Sequence, residues 1–125
     1  MLIVVRGVLA LIAAFFVLLG LSFMLVPDSI AGDFSVMASG VAGLSTLRAD
    51  LGGSLTAVGI LVALGLRRSA THWLYAAMLV LIAVVVGRLV GFVVDGPAQP
   101  ALLSCVIEAA FIALLAIGAR RLQHA

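Results

Sequence analysis

Four long apolar stretches, separated by short polar segments, dominate the hydrophobic pattern of the 125-residue chain. A bilayer core about 30 Å thick is crossed by roughly 20 helical residues. The stretch from Leu51 to Leu66 covers only ~24 Å as a helix, so we expect that helix to begin near Thr46. The pattern predicts an all-α integral membrane bundle, one domain over residues 1–125, with four transmembrane helices at about 4–26, 46–67, 72–94 and 100–120.

The segment between the first and second predicted helices also contains a helical pattern. Its apolar residues recur at spacings of three and four, and Asp33 or Ser35 could cap the start of a helix: Phe34, Met37, Val41, Leu44. Gly40 and Gly43 weaken that pattern. A short helix lying in the membrane interface and a flexible loop both stay open.

Composition supports the membrane interpretation. The chain is 66% apolar and 10% charged, with a mean hydropathy of +1.41, whereas soluble domains are about 45–50% apolar and about 25% charged. The first apolar stretch exceeds the ~7–15 residues of a secretory signal, so we expect it to stay as a transmembrane helix. One cysteine excludes an internal disulfide, and no basic patch with interleaved aromatic residues points to nucleic acid.

The arginines are distributed unequally between the predicted loops. With the N-terminus inside, the inner side holds five of them, and the outer loops hold Asp28, Asp33 and Asp95: Arg6, Arg67, Arg68, Arg120, Arg121. Short cytoplasmic loops carry an excess of Lys and Arg. The sequence therefore predicts a multi-pass protein of the bacterial inner membrane, with both termini cytoplasmic.

Two charged residues fall inside predicted transmembrane helices, where charges normally face the protein interior. Arg88 lies ~10 Å below the outer end of the third helix, and Glu108 lies ~12 Å down the fourth. The tight turn around Pro97 makes these helices antiparallel neighbours, so we expect a salt bridge. Together with the outer end of the second helix, they predict a polar cluster in the outer half of the bundle: Arg48, Asp50, Arg88, Asp95, Glu108.

The cluster has two open interpretations. It could be a closed network that fixes the register of the helices, or it could line a cavity that binds a polar molecule or moves protons. No catalytic residue, cofactor site or metal site is expected, because the sequence contains no catalytic or phosphate-binding motif. Cys105 is interpreted as a small apolar residue.

Three motifs carry a resemblance to a known family: Leu47-Arg48-Ala49-Asp50-Leu51-Gly52-Gly53, Gly87-Arg88-Leu89-Val90-Gly91 followed by Asp95-Gly96-Pro97, and Glu108. Through them, most of the chain resembles a bacterial family of small four-helix inner-membrane proteins that is classed as a domain of unknown function. The family often has an aromatic residue where this chain has Ala49-Asp50-Leu51. The resemblance implies the four-helix architecture, marks Arg48, Arg88, Asp95 and Glu108 for testing, and implies no activity.

Two functions are compatible with these features. The first is a non-enzymatic accessory or assembly subunit of a larger membrane complex, which would contact a membrane-protein partner or form a homo-oligomer within the lipid bilayer. The alternative is a small-molecule, lipid or proton-coupled binding or transport protein that uses the outer-half cluster.

Overall fold

Four long helices form the protein in a computed structural model that describes residues 1–124. They are α1 (Leu2–Leu25), α2 (Gly40–Gly65), α3 (His72–Val94) and α4 (Gln99–Gln123). Each is long and apolar enough to cross a membrane, and no strand occurs in the described residues. The predicted all-α bundle of a multi-pass membrane protein is confirmed.

Helix α2 begins six residues earlier than the predicted start at residue 46. Gly40 has a left-handed φ of 64°, which glycine tolerates because it has no side chain, and there the extended chain at Ser39 turns into the helix. Val41 and Leu44 therefore belong to the first turns of α2. The connecting segment (residues 26–39) forms only short helical turns, at Pro27–Ile30 and Ala31–Phe34, in place of one interfacial helix.

A π-helical turn interrupts α2 at Leu47–Gly53. Its wider backbone leaves carbonyl groups that side chains can reach, and the Ser54 hydroxyl donates to the main-chain carbonyls of Asp50 and Leu51. Such turns occur as single-turn insertions in α-helices and are frequent at functional sites. This one contains Arg48 and Asp50.

Glycines bring the backbones of α1 and α2 into direct contact. A Cβ atom on Gly59 would lie 2.7 Å from the carbonyl oxygen of Ala13, and one on Gly52 would lie 3.0 Å from that of Gly20. Close backbone approach through small residues is a common way for transmembrane helices to associate. The connecting segment then folds over the end of this pair, where it forms a small apolar cluster: Phe23, Ala31, Leu47.

The main core lies toward the end of the bundle that holds both termini, and all four helices contribute to it: Leu9, Phe16, Val58, Val62, Leu74, Leu81, Leu115. We call this end the basic end (Arg6, Arg67, Arg68, Arg120, Arg121) and the opposite end the acidic end (Asp28, Asp33, Asp95).

The acidic half of the α3–α4 hairpin, residues 82–114, contains no buried residue. Phe111 connects it to α1, with ring centroids 5.5 Å from Phe15 and 5.0 Å from Phe16. Gly87 on this hairpin has no atom of another element within 4 Å of a Cβ placed on it. This chain therefore packs α3 and α4 against α1 and α2 mainly in the basic half.

We predict that Gly59→Ala lowers the free energy of unfolding in detergent by about 1–3 kcal/mol, because the new methyl group would overlap the backbone of α1. Gly87→Ala is the matched control, since its methyl group meets open space. It should leave stability unchanged or raise it by up to about 1 kcal/mol through helix propensity. Equal losses in both variants, measured by SDS titration of circular dichroism, would contradict the packing described here.

Candidate functional site

The α3–α4 hairpin contains the predicted ion pair. Arg88 Nε donates to Glu108 Oε2 and Arg88 Nη2 donates to Glu108 Oε1, both at 2.8 Å. This is the bidentate arrangement in which a planar guanidinium matches both oxygens of a carboxylate. It fixes the relative register of the two helices at this depth.

The turn between the helices brings the two side chains to the same depth. Gly96 has a φ of 95°, which only glycine adopts readily, and Pro100 lies in the first turn of α4, where its missing N–H is not needed. The chain thus reverses within a few residues. The antiparallel geometry that the sequence predicted follows from these two positions.

The two partners differ in exposure. The side chain of Arg88 is 32% exposed, and that of Glu108 is 16% exposed. A guanidinium group has five N–H donors, of which Glu108 receives two. Arg88 therefore has three N–H groups available for another acceptor, while both oxygens of Glu108 are already engaged.

Arg48 lies apart from this pair and caps α1. Its Nη1 donates to the carbonyl oxygen of Met24 and, at 3.2 Å, to that of Leu25. The last carbonyls of a helix have no partner within the helix, and a cation there interacts favourably with the helix dipole. The guanidinium of Arg48 thus links α2 to the end of α1, and it does not join the predicted cluster.

Asp50 and Asp95 are also outside the pair. Both are exposed, and Arg88–Glu108 is the one salt bridge between side chains of residues 1–124. The Asp95 amide ends α3 by donating to the carbonyl of Gly91 at 2.7 Å. The structure therefore brings together two of the five residues of the predicted cluster, and the other three lie at helix ends or in the π-helical turn.

The arrangement limits the chemistry that the site can perform. Arg88 binds both oxygens of Glu108, so a proton added to this carboxylate would remove the charge that holds the ion pair together. Within residues 1–124, no three His, Cys, Asp or Glu side chains lie close enough together to hold a metal ion. Sequence reasoning missed Met24 and Leu25, whose main-chain carbonyls bind Arg48. A main-chain acceptor can belong to any residue type, so no sequence pattern marks it.

We predict that Arg88→Met lowers the free energy of unfolding by about 3–5 kcal/mol, because it leaves the Glu108 carboxylate without its partner. The double variant Arg88→Met/Glu108→Leu should recover most of this loss, since neither charge remains. SDS titration of the two single variants and the double variant measures the coupling. A double variant as unstable as the sum of the single variants would show that the pair contributes no coupling.

A family described as Domain of unknown function (DUF4345) matches residues 4–119, a range that contains Arg48, Asp50, Arg88, Asp95 and Glu108. A search of curated proteins and a search of solved structures each found no match. The predicted resemblance to a family of unknown function is confirmed, and the chain belongs to the DUF4345 family.

Proposed function

We propose that this membrane protein is an accessory or assembly subunit of a larger membrane complex and that it contacts its partner through the acidic half of the α3–α4 hairpin. The observation that carries the proposal is the lack of any buried residue in residues 82–114, although this region contains an ion pair. A membrane-protein partner, or a second copy of the chain, would supply the missing cover.

The charge of Arg88 is the physical reason that cover is needed. Apolar side chains on this hairpin can face lipid at no cost, but charged groups at this depth normally face a protein interior or water. About a third of the Arg88 side chain is left open by this chain. A partner that offers a main-chain or side-chain oxygen to its three remaining N–H groups would satisfy them.

The backbone of α3 favours a helical partner. Gly87 and Gly91 are separated by one helical turn, and neither has another element of this chain within 3.4 Å of a Cβ placed on it. Small residues at this spacing let a second helix approach closely. No atom of α1, α2 or α4 within residues 1–124 lies within 4 Å of a Cβ placed on either glycine.

The orientation in the membrane is part of the proposal. The basic end carries five arginines, and the acidic end carries aspartates, so the positive-inside bias supports both termini in the cytoplasm. We assign the protein to the bacterial inner membrane because its motifs resemble a bacterial family of inner-membrane proteins. The bidentate pairing of Glu108 with Arg88 on two neighbouring helices, which is a structural use of the carboxylate, supports a non-enzymatic role.

A second candidate function is favoured by the free donors of Arg88. A small polar or lipid-soluble molecule with an acceptor oxygen could bind the three N–H groups that Glu108 leaves open. The occupant would then be a ligand instead of a protein helix. Two experiments separate these candidates.

The first experiment places a photo-crosslinking amino acid at Val84, which is exposed and shares a helix face with Gly87 and Gly91. Leu18 on α1, which is also exposed, is the matched control. After irradiation of native membranes, we expect a discrete protein adduct from Val84 and none from Leu18, identified by mass spectrometry. Only lipid adducts at both positions would contradict the subunit proposal, and an adduct of twice the chain mass would identify a homo-oligomer.

The second experiment compares small molecules retained by the wild-type protein and by Glu108→Gln after purification in mild detergent. The amide keeps the size of the side chain but removes the charge that orients Arg88. The ligand-binding candidate predicts a stoichiometric molecule in the wild-type sample that falls at least about tenfold in the variant, a loss of about 1.4 kcal/mol in binding. This candidate would be contradicted if the folded wild-type protein retained no molecule. It would also be contradicted if the variant retained the same amount as the wild-type protein.

A further inference from the structure

A cavity of about 460 Å³ opens at the basic end of the bundle, where three separate parts of the chain meet. The first turns of α1 contribute Leu2 and Arg6, and the α2–α3 loop contributes Arg67, Arg68 and Ser69. The last turn of α4 closes the cavity with Leu122. With Thr71 and Gln123, the lining combines three guanidinium groups, two hydroxyls, a side-chain amide and two apolar side chains.

Local packing holds the α2–α3 loop in this place. Gly65 lies so close to Leu74 that an added Cβ would lie 2.5 Å from the Leu74 side chain, which draws the start of α3 against the end of α2. The loop turns tightly, with the Arg67 amide donating to the Leu64 carbonyl at 3.1 Å and Ser69 at a φ of 58°. Arg67 and Arg68 are thereby held beside the N-terminal turns of α1.

Within residues 1–124, the cavity lining carries no negative charge. None of its lining residues is Asp or Glu, and the one salt bridge between side chains of residues 1–124 is the distant pair on the α3–α4 hairpin. Three guanidinium groups around one space repel one another, and an anion with several acceptor oxygens would relieve that repulsion. Phosphate is one of the anions that arginine binds through paired hydrogen bonds, and its oxygens can reach more than one guanidinium group.

The apolar part of the lining indicates which kind of phosphate. Leu2 and Leu122 border the cavity, and apolar residues along α1, including Ile3 and Val4, are exposed beside it. If the four helices span a bilayer, as their length and apolar composition allow, the basic end meets the headgroups of one leaflet. A phosphate that carries acyl chains can place its charge among the arginines and its chains along α1, and basic pockets between transmembrane helices bind such headgroups.

We propose that the cavity formed by Arg6, Arg67 and Arg68 binds the phosphate of an anionic phospholipid. This site is separate from the acidic half of the α3–α4 hairpin, through which we propose that the protein contacts its partner. It also differs from a general attraction of basic loops to anionic membranes, because it assigns the binding to one set of arginines. Arg120 and Arg121 lie at the same end of the bundle but outside this cavity.

The test is native mass spectrometry of the full chain in detergent, titrated with phosphatidylglycerol or with phosphatidylcholine. We expect one phosphatidylglycerol to bind to the wild-type protein, with phosphatidylcholine weaker by on the order of tenfold. Arg67→Gln/Arg68→Gln should remove most of this preference. Arg120→Gln/Arg121→Gln, which removes the same charge from the same end, should keep it.

A lysine variant and a competition with inorganic phosphate complete the test. Arg67→Lys/Arg68→Lys keeps the charge but loses the paired hydrogen bonds of arginine, so part of the preference should be lost in a variant that folds. Equal losses in the Arg67/Arg68 and Arg120/Arg121 double variants would overturn the proposal in favour of diffuse surface attraction. Displacement of the lipid by millimolar inorganic phosphate would contradict the proposal that the bound phosphate belongs to a lipid, and it would identify a site for free phosphate.

Discussion

The backbone contact between α1 and α2 is the constraint on which the other elements depend. Gly20, Gly52 and Gly59 let the two helices approach until main-chain atoms touch, and no side chain can be added there without separating them. This pair then offers one groove for the core side chains of α3 and α4, and its far end is closed by the connecting segment. That core holds the α3–α4 hairpin mainly in the basic half, which leaves most of the half with the ion pair uncovered by this chain.

The seven positively charged residues are all arginines, and the fold divides them into three environments. Arg48 binds the carbonyls that end α1, and Arg88 binds a carboxylate in the middle of the hairpin. The other five lie at the basic end, away from every acidic residue. Because the same side chain is satisfied by main-chain dipoles in one place and by a full charge in another, residue type alone does not determine its role.

The sequence predicted those features that depend on periodicity and length. Four apolar stretches gave the helices, and counting residues from the turn at Pro97 put Arg88 and Glu108 at one depth. It did not predict the start of α2 at Gly40, because the left-handed conformation of that glycine depends on the connecting segment. The π-helical turn and the capping role of Arg48 were missed for a related reason: both depend on main-chain hydrogen bonds that no side-chain pattern encodes.

The uneven packing of the bundle separates two kinds of exposed surface. On α1, exposed residues such as Leu11 and Leu18 are apolar and suit lipid without further contact. On the hairpin, part of the Arg88 guanidinium and the backbone at Gly87 and Gly91 are exposed. Lipid stabilises neither of them, because the charge loses its hydration there and the glycines have no side chain to cover the backbone. A partner helix would satisfy both at once, since the close approach that glycine allows also brings main-chain oxygens within reach of Arg88. The register set by Glu108 would then determine where along α3 that partner binds.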